Sequence, residues 1–322
     1  MRAEALVQLA LNALSCSQKE LASRLGVSPT QISKWKKGEH MSFEMEEKIR
    51  EISDIGDANP EFVLWAGSLD EARKWERLIR YLADIADFQA ETGYNTYPLQ
   101  DEEGNLCWST FHTLKEMGVA LPPQFPEELN FDYEEVCDRS DSDATRVSDL
   151  LEQNPYSALI LDIFLSLNNV YGFYTAYVSE FFQDEELDLQ STVAADLEYC
   201  LMELAASKVK VDKNLASNFK EFKYRVTKDF DEWLNLIKEK AYRAGLPLRA
   251  ELLSMVHATS DELGHEAEAE SLGFNSSRIH PDIYMNELLC GMRVIHQVLP
   301  AIMKKLGLDK EFELDESELR AK

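Results

Sequence analysis

The sequence predicts an all-α protein, in which a small N-terminal unit of short helices precedes a larger, acidic helical bundle. Three observations carry this. Apolar residues recur at intervals of three and four along most of the chain, and no stretch alternates apolar and polar residues as a half-buried strand would. Helix start and stop residues fall in order through the first 55 positions. The charge is divided: residues 1–55 carry eight basic and eight acidic side chains, so the whole net charge of −26 lies after residue 55.

The length of 322 residues suits about two domains. With 45% hydrophobic and 29% charged residues, 13 Gly and 10 Pro, fibrous and low-complexity architectures are excluded. The acid surplus repels nucleic acid and anionic membrane at long range, so any DNA contact has to be local. Cys16, Cys107, Cys137, Cys200 and Cys290 are odd in number and contain no C-x-x-C pair, which argues against a disulfide framework or zinc module and fits a cytoplasmic setting. Glu4, Gln8 and Asn12 interrupt the N-terminal apolar stretch, which does not read as a signal peptide. The most apolar later segment, Ala158 to Phe182, carries Asp162, Asn168, Asn169 and Glu180, and no membrane partner is expected.

Leu6, Leu9 and Ala13 suit a first helix. Ser17 lies three residues before Glu20 and directly ahead of Leu21, Ala22 and Leu25, a capping box opening a second helix that Gly26 ends. Ser28 is a good N-cap, and Pro29 takes the first helical position, where a missing N–H costs nothing. Ile32 and Trp35 give this third helix an apolar side, and Gly38 stops it. Phe43, Met45 and Ile49, after Ser42, suit a fourth. Two short helices joined by a tight glycine-containing turn form a helix-turn-helix arrangement. Between Ser17 and Lys37, Lys19, Arg24, Lys34, Lys36 and Lys37 stand against Glu20 alone, and no acidic residue lies between Val27 and Gly38.

Residues 17–39, SQKELASRLGVSPTQISKWKKGE, resemble the helix-turn-helix domain of the lambda repressor and Cro class of regulators. In that class a small residue, here Ala22, lets the two helices cross closely. Gly26 takes the turn conformation a side chain would resist, and Val27 and Ile32 pack the helices together. The resemblance implies a DNA-binding regulator whose recognition helix spans 28–37. It places Gln18, Lys36 and Lys37 on the phosphate backbone, helped by helix N-termini. Thr30, Gln31, Ser33 and Lys34 would read base edges in the major groove, with Ser28 at the helix start within the DNA-binding surface. Pro29 replaces the glutamine of some phage repressors, so their operators cannot be borrowed. Trp35 shares a side with Ile32 and is expected in the core.

Residues 1–55 are thus expected as the DNA-binding domain, 56–70 as a linker, and 71–322 as an acidic helical domain for oligomerisation, effector or partner binding. In that domain Glu71 to Gln89 reads as a helix through Trp75, Leu78, Ile79, Leu82 and Ile85. Tyr94–Glu103 and Leu121–Asp141 read as surface connections around one short helix, Trp108–Glu116. Helices are then expected over Val147–Gln153, Ser157–Phe182, Thr192–Lys208, Asn214–Ala244, Arg249–His265 and Pro281–Leu306.

Three features outside the N-terminal motif invite functional readings. Ten basic residues between Lys208 and Arg243 would touch flanking DNA or, more simply, pair with neighbouring carboxylates. The aromatic run Phe164, Tyr171, Phe173, Tyr174, Tyr177, Phe181 and Phe182 would line a ligand cavity or fill a core or dimer interface. His257, Asp261 and His265 stand at i, i+4 and i+8 but lack a known metal signature. No dinucleotide, Walker, nucleophile-elbow or C-x-x-C motif occurs, so neither enzyme activity nor a cofactor or metal is expected.

The expected function is a transcriptional repressor that binds an inverted repeat in double-stranded DNA as a homodimer, with a small-molecule effector or protein partner at the acidic domain. The alternative is an antitoxin, immunity or phage-defence regulator whose acidic domain grips a basic protein while the helix-turn-helix represses its own operon.

Overall fold

Helix α1 (Arg2–Ala13) buries Leu6, Val7, Leu9 and Ala10 against the helices that follow. These are α2 (Gln18–Leu25), α3 (Pro29–Trp35) and α4 (Phe43–Ser53). A computed structural model describes residues 2–133, 141–244, 252, 254–274 and 281–308 of the chain. Among these residues the architecture is helical without strands, as the spacing of apolar residues predicts. One isolated antiparallel bridge joins Val119 to Ala216.

The expected linker, residues 56–70, contains helix α5 (Pro60–Ala66), capped by the Asn59 side chain. Phe62, Val63 and Ala66 are buried, and α5 packs on α1, α6 and α8. Here α6 is Leu69–Phe88 and α8 is Leu106–Glu116. Phe62 meets Phe111 edge to face at 4.8 Å, and the Trp108 indole N–H donates to Glu61 at 2.7 Å. The segment is a structural splice, because its apolar residues find partners on both sides.

The expected surface connections are also anchored. Residues 94–103 contain the short α7 (Tyr97–Gln100), which buries Leu99. The second connection buries Phe125, Leu129 and Tyr133, and the Phe125 N–H donates to Glu71. Residues 134–140 lie outside the described residues.

After α9 (Asp141–Gln153), the central helix α10 (Pro155–Tyr177) is apolar on all sides and contacts α6, α12 and α15. The short α11 (Ser179–Gln183) follows. The helix expected over Thr192–Lys208 is instead a series of 3-10 turns, with α12 confined to Leu201–Lys208. The expected Asn214–Ala244 helix begins later, as α13 (Phe219–Ala244), because the Ser217 and Asn218 N–H groups donate across to the Gly118 and Met117 carbonyls. Along it Phe222, Val226, Phe230, Ile237 and Ala241 are buried, and Phe219 and Trp233 are partly buried.

The helix expected over Arg249–His265 is broken. Its start at 249–251 lies outside the described residues; α14 covers Ser254–His257, and α15 (Ser260–Ser271) restarts from a Thr259/Glu262 capping box. Gly264 does not end α15 but sits against Asn169 of α10, where a Cβ would collide with the amide. The last described helix is α16 (Pro281–Leu306).

Candidate nucleic-acid interface

The helix pair α2–α3 is built by local chemistry. The Ser17 N–H donates to the Glu20 carboxylate at 2.7 Å, and the Glu20 N–H returns a 3.3 Å bond to the Ser17 hydroxyl. These bonds to the ionised form hold the Glu20 carboxyl below its usual range. Gly26 ends α2 at φ +70°, left-handed backbone that a side chain would strain, and the Val27 N–H reaches back to the Ala22 carbonyl at 2.9 Å. The Ser28 hydroxyl caps α3 by accepting from the Gln31 N–H at 3.2 Å, with Pro29 in its first turn. Ser42 precedes α4, but its hydroxyl makes no capping bond.

Leu21, Ala22, Leu25, Ile32 and Trp35 are buried, so the inner sides of the two helices belong to the core and Trp35 is a packing residue. The opposite side of α3 is open: Ser28, Thr30, Lys34 and Lys37 are exposed, and Gln18, Gln31, Ser33 and Lys36 are partly exposed.

Two of these residues have partners within the chain. The Ser33 hydroxyl lies 3.1 Å from the Pro29 carbonyl and 3.4 Å from Gln18 Oε1, so it is engaged at the α2–α3 crossing. Lys34 Nζ pairs with Glu39 at 3.5 Å, both side chains half exposed. The sequence pattern stops one residue short of this partner, since the acid-free run ends at Gly38. Lys19, exposed in the first turn of α2, adds a cation beside Gln18 that the site assignment left out.

The residues weighed as other sites are accounted for. Tyr171 and Tyr174 share Glu198 at 3.4 and 3.0 Å, and Tyr177 donates to the Glu266 carbonyl at 2.9 Å; all three rings are buried. A cleft of about 460 Å³ beside them is lined by Tyr97, Tyr171, Tyr199, Glu198 and Met202. The helix break before Thr259 takes His257 off the helix of Asp261 and His265; His257 lies 3.4 Å from Asp231 instead. Among the described residues no group of three or more His, Cys, Asp or Glu is placed to hold a metal ion.

Several cations between 208 and 243 are used internally. Lys208 donates to the Val256 and Ala258 carbonyls at 2.9 and 2.7 Å. Arg225 pairs with Glu116 and Glu203 at 3.1 and 3.3 Å, and Lys240 donates to the Leu187 carbonyl at 2.6 Å. Burial raises the Cys107 and Cys200 thiols, the latter to about 12, which keeps both protonated at neutral pH.

Residues 7–45 match the helix-turn-helix family model, the class of lambda-repressor-like DNA-binding domains. The match coincides with α1 to the start of α4 and points to a DNA-binding transcription regulator. No curated protein and no solved structure matches the chain. No helix among the described residues is long and apolar enough to cross a membrane.

Proposed function

We propose that the protein is a sequence-specific transcriptional repressor that docks α3 in the major groove and binds an inverted repeat as a homodimer. One observation carries the reading: α3 buries Ile32 and Trp35 while leaving Thr30 and Lys34 exposed, with Lys37 exposed just beyond its end. Thr30, Gln31 and Lys34 read base edges, with Ser28 at the start of the reading surface. Gln18, Lys36 and Lys37 contact phosphates. Ser33 acts at one remove, by holding Gln18 Oε1 and leaving the Gln18 amide N–H groups for a phosphate. A single unit of this size makes few contacts, so pairing across half-sites about 34 Å apart supplies the missing affinity. Residues 1–55 do the reading, and residues 71–322 pair the molecule and receive an effector or partner. The acid surplus keeps the bundle off the duplex.

That surplus also supports the second reading, an antitoxin, immunity or phage-defence regulator with a basic protein partner. Selection of bound sequences from random duplexes tests the proposal. The expected product is a two-fold symmetric site, with Lys34→Ala relaxing base discrimination and Lys37→Ala weakening all sequences alike. No enrichment at modest salt overturns DNA recognition, while an asymmetric site together with co-purification of a basic protein favours the second reading.

A further inference from the structure

Helix α16 is 26 residues long, and from Gly291 to Leu308 every residue except Met303 is exposed. Its exposed large apolar residues include Val294 and Val298 and a series of five, Met292, Ile295, Leu299, Ile302 and Leu306, each of the five at least 46% accessible. Their spacing is three, four, three and four, the a and d positions of a heptad, and the sequence continues the register back through Leu288 and Met285. A helix laid on its own bundle buries a broader stripe at a 3.6-residue period, as α6 and α13 do here. A seam that keeps a 3.5-residue register from Met285 to Leu306, with Val298 on its flank, suits another helix of the same kind. Apolar seams of this length do not stay in water.

We propose that α16 pairs with α16 of a second copy of this chain, in antiparallel orientation, and that this pair is the dimer interface. When the two helices are aligned end to end in opposite directions, Met285 is level with the partner's Ile302, Leu288 with the partner's Leu299, and Met292 with the partner's Ile295. Every a position meets a d position along the whole length without a slip. The charges select the same orientation. The sequence places Asp282 and Glu287 in the first part of the helix and Lys304 and Lys305 in its last turn, with no acidic residue from 291 to 308. Antiparallel pairing brings unlike ends together, whereas parallel pairing stacks like on like.

Pro300 lies inside the helix at a b position, away from the seam. Its missing N–H lets the helix curve with the proline on the convex side, so the seam lies on the concave side and wraps its partner. An antiparallel pair has a two-fold axis across its middle, which makes the interface isologous and gives the molecule the symmetry of an inverted repeat. The use of that symmetry rests on the regulator reading above; the pairing does not.

The test is the mass of the full-length protein by light scattering without DNA. The expected result is twice 36.8 kDa for the wild type, and a monomer with unchanged circular dichroism and melting for Ile295→Glu/Leu299→Glu, since both side chains are exposed within the chain. A wild-type monomer at tens of micromolar, a higher oligomer, or a double variant that stays dimeric overturns the pairing. For orientation, Lys304→Glu/Lys305→Glu weakens association roughly tenfold at low salt, and adding Asp282→Lys/Glu287→Lys restores it. Association unmoved by the first pair of changes overturns the antiparallel arrangement. A dimer that ignores every duplex leaves this interface standing and sinks the regulator reading, whereas a monomer that binds operator overturns the interface and leaves DNA recognition by α3 standing.

Discussion

The Arg50 guanidinium closes the chain around Gly56: Nη1 donates 2.8 Å to the Gly56 carbonyl and 3.0 Å to that of Ala58, while Nε and Nη2 hold Glu46 at 3.3 Å. Arg50 is 9% exposed, so this cation of the DNA-binding unit faces inward and shapes the turn from α4 into α5. Arg50→Met removes the bonds to the Gly56 and Ala58 carbonyls and the ion pair with Glu46. The expected loss is about 2–3 kcal/mol of stability in urea unfolding. A loss within measurement error would show that the turn holds without it.

Lys34 and Glu39 set a second expectation. Reading a base requires Lys34 to leave a carboxylate that also repels the duplex. Glu39→Gln is expected to raise affinity for operator DNA roughly three- to tenfold at low salt, with the gain shrinking as salt is added. Unchanged or weaker binding in a titration would remove Lys34 from the reading surface.

The capping box gives a pH dependence. Because Glu20 titrates below its usual range when folded, its stabilisation is fully present above the unfolded carboxyl value and is lost as pH falls through the folded one. Wild type is expected to exceed Glu20→Gln in stability above about pH 5 and to converge with it in acid. Parallel stability curves down to acid pH would contradict the assignment. Ser17→Ala is expected to cost about 1 kcal/mol.

Lys208 works in the opposite range. Burial lowers its ammonium to about 8, with Lys223 adding to the effect. Between that value and the ordinary lysine value the unfolded chain holds more protons than the folded one, so this group's contribution to stability rises with pH across the window. The stability of wild type relative to Lys208→Met is expected to grow by about 1–3 kcal/mol between pH 8 and 10. A difference that is flat or falls with pH would place the ammonium in solvent.

The N-terminal helices were legible because their signals are local: the Ser17–Glu20 box, the left-handed Gly26 and the Ser28 cap each act within four residues. The contact between Ser33 and Gln18 was not, since it forms only when α3 crosses α2. Gly56, Asn59, Pro60, Gly67 and Ser68 are residues of turns and caps, and they disguised the α5 splice. Its Phe62 and Val63 are explained by surfaces on α1, α6 and α8 that no local window contains. The stretch before Phe219 has a helical pattern, yet the Met117 and Gly118 carbonyls capture its N–H groups. In α16 the sequence reads as one more bundle helix, and the exposure of Ile295 and Leu299 is what marks a free seam.

Wedged between α1 and the α6–α8 pair, α5 denies the reading head a tether on which to swing. The head's heading is machined into the body that carries it. A load on α1 is therefore passed to α6 and α8 without play at the junction.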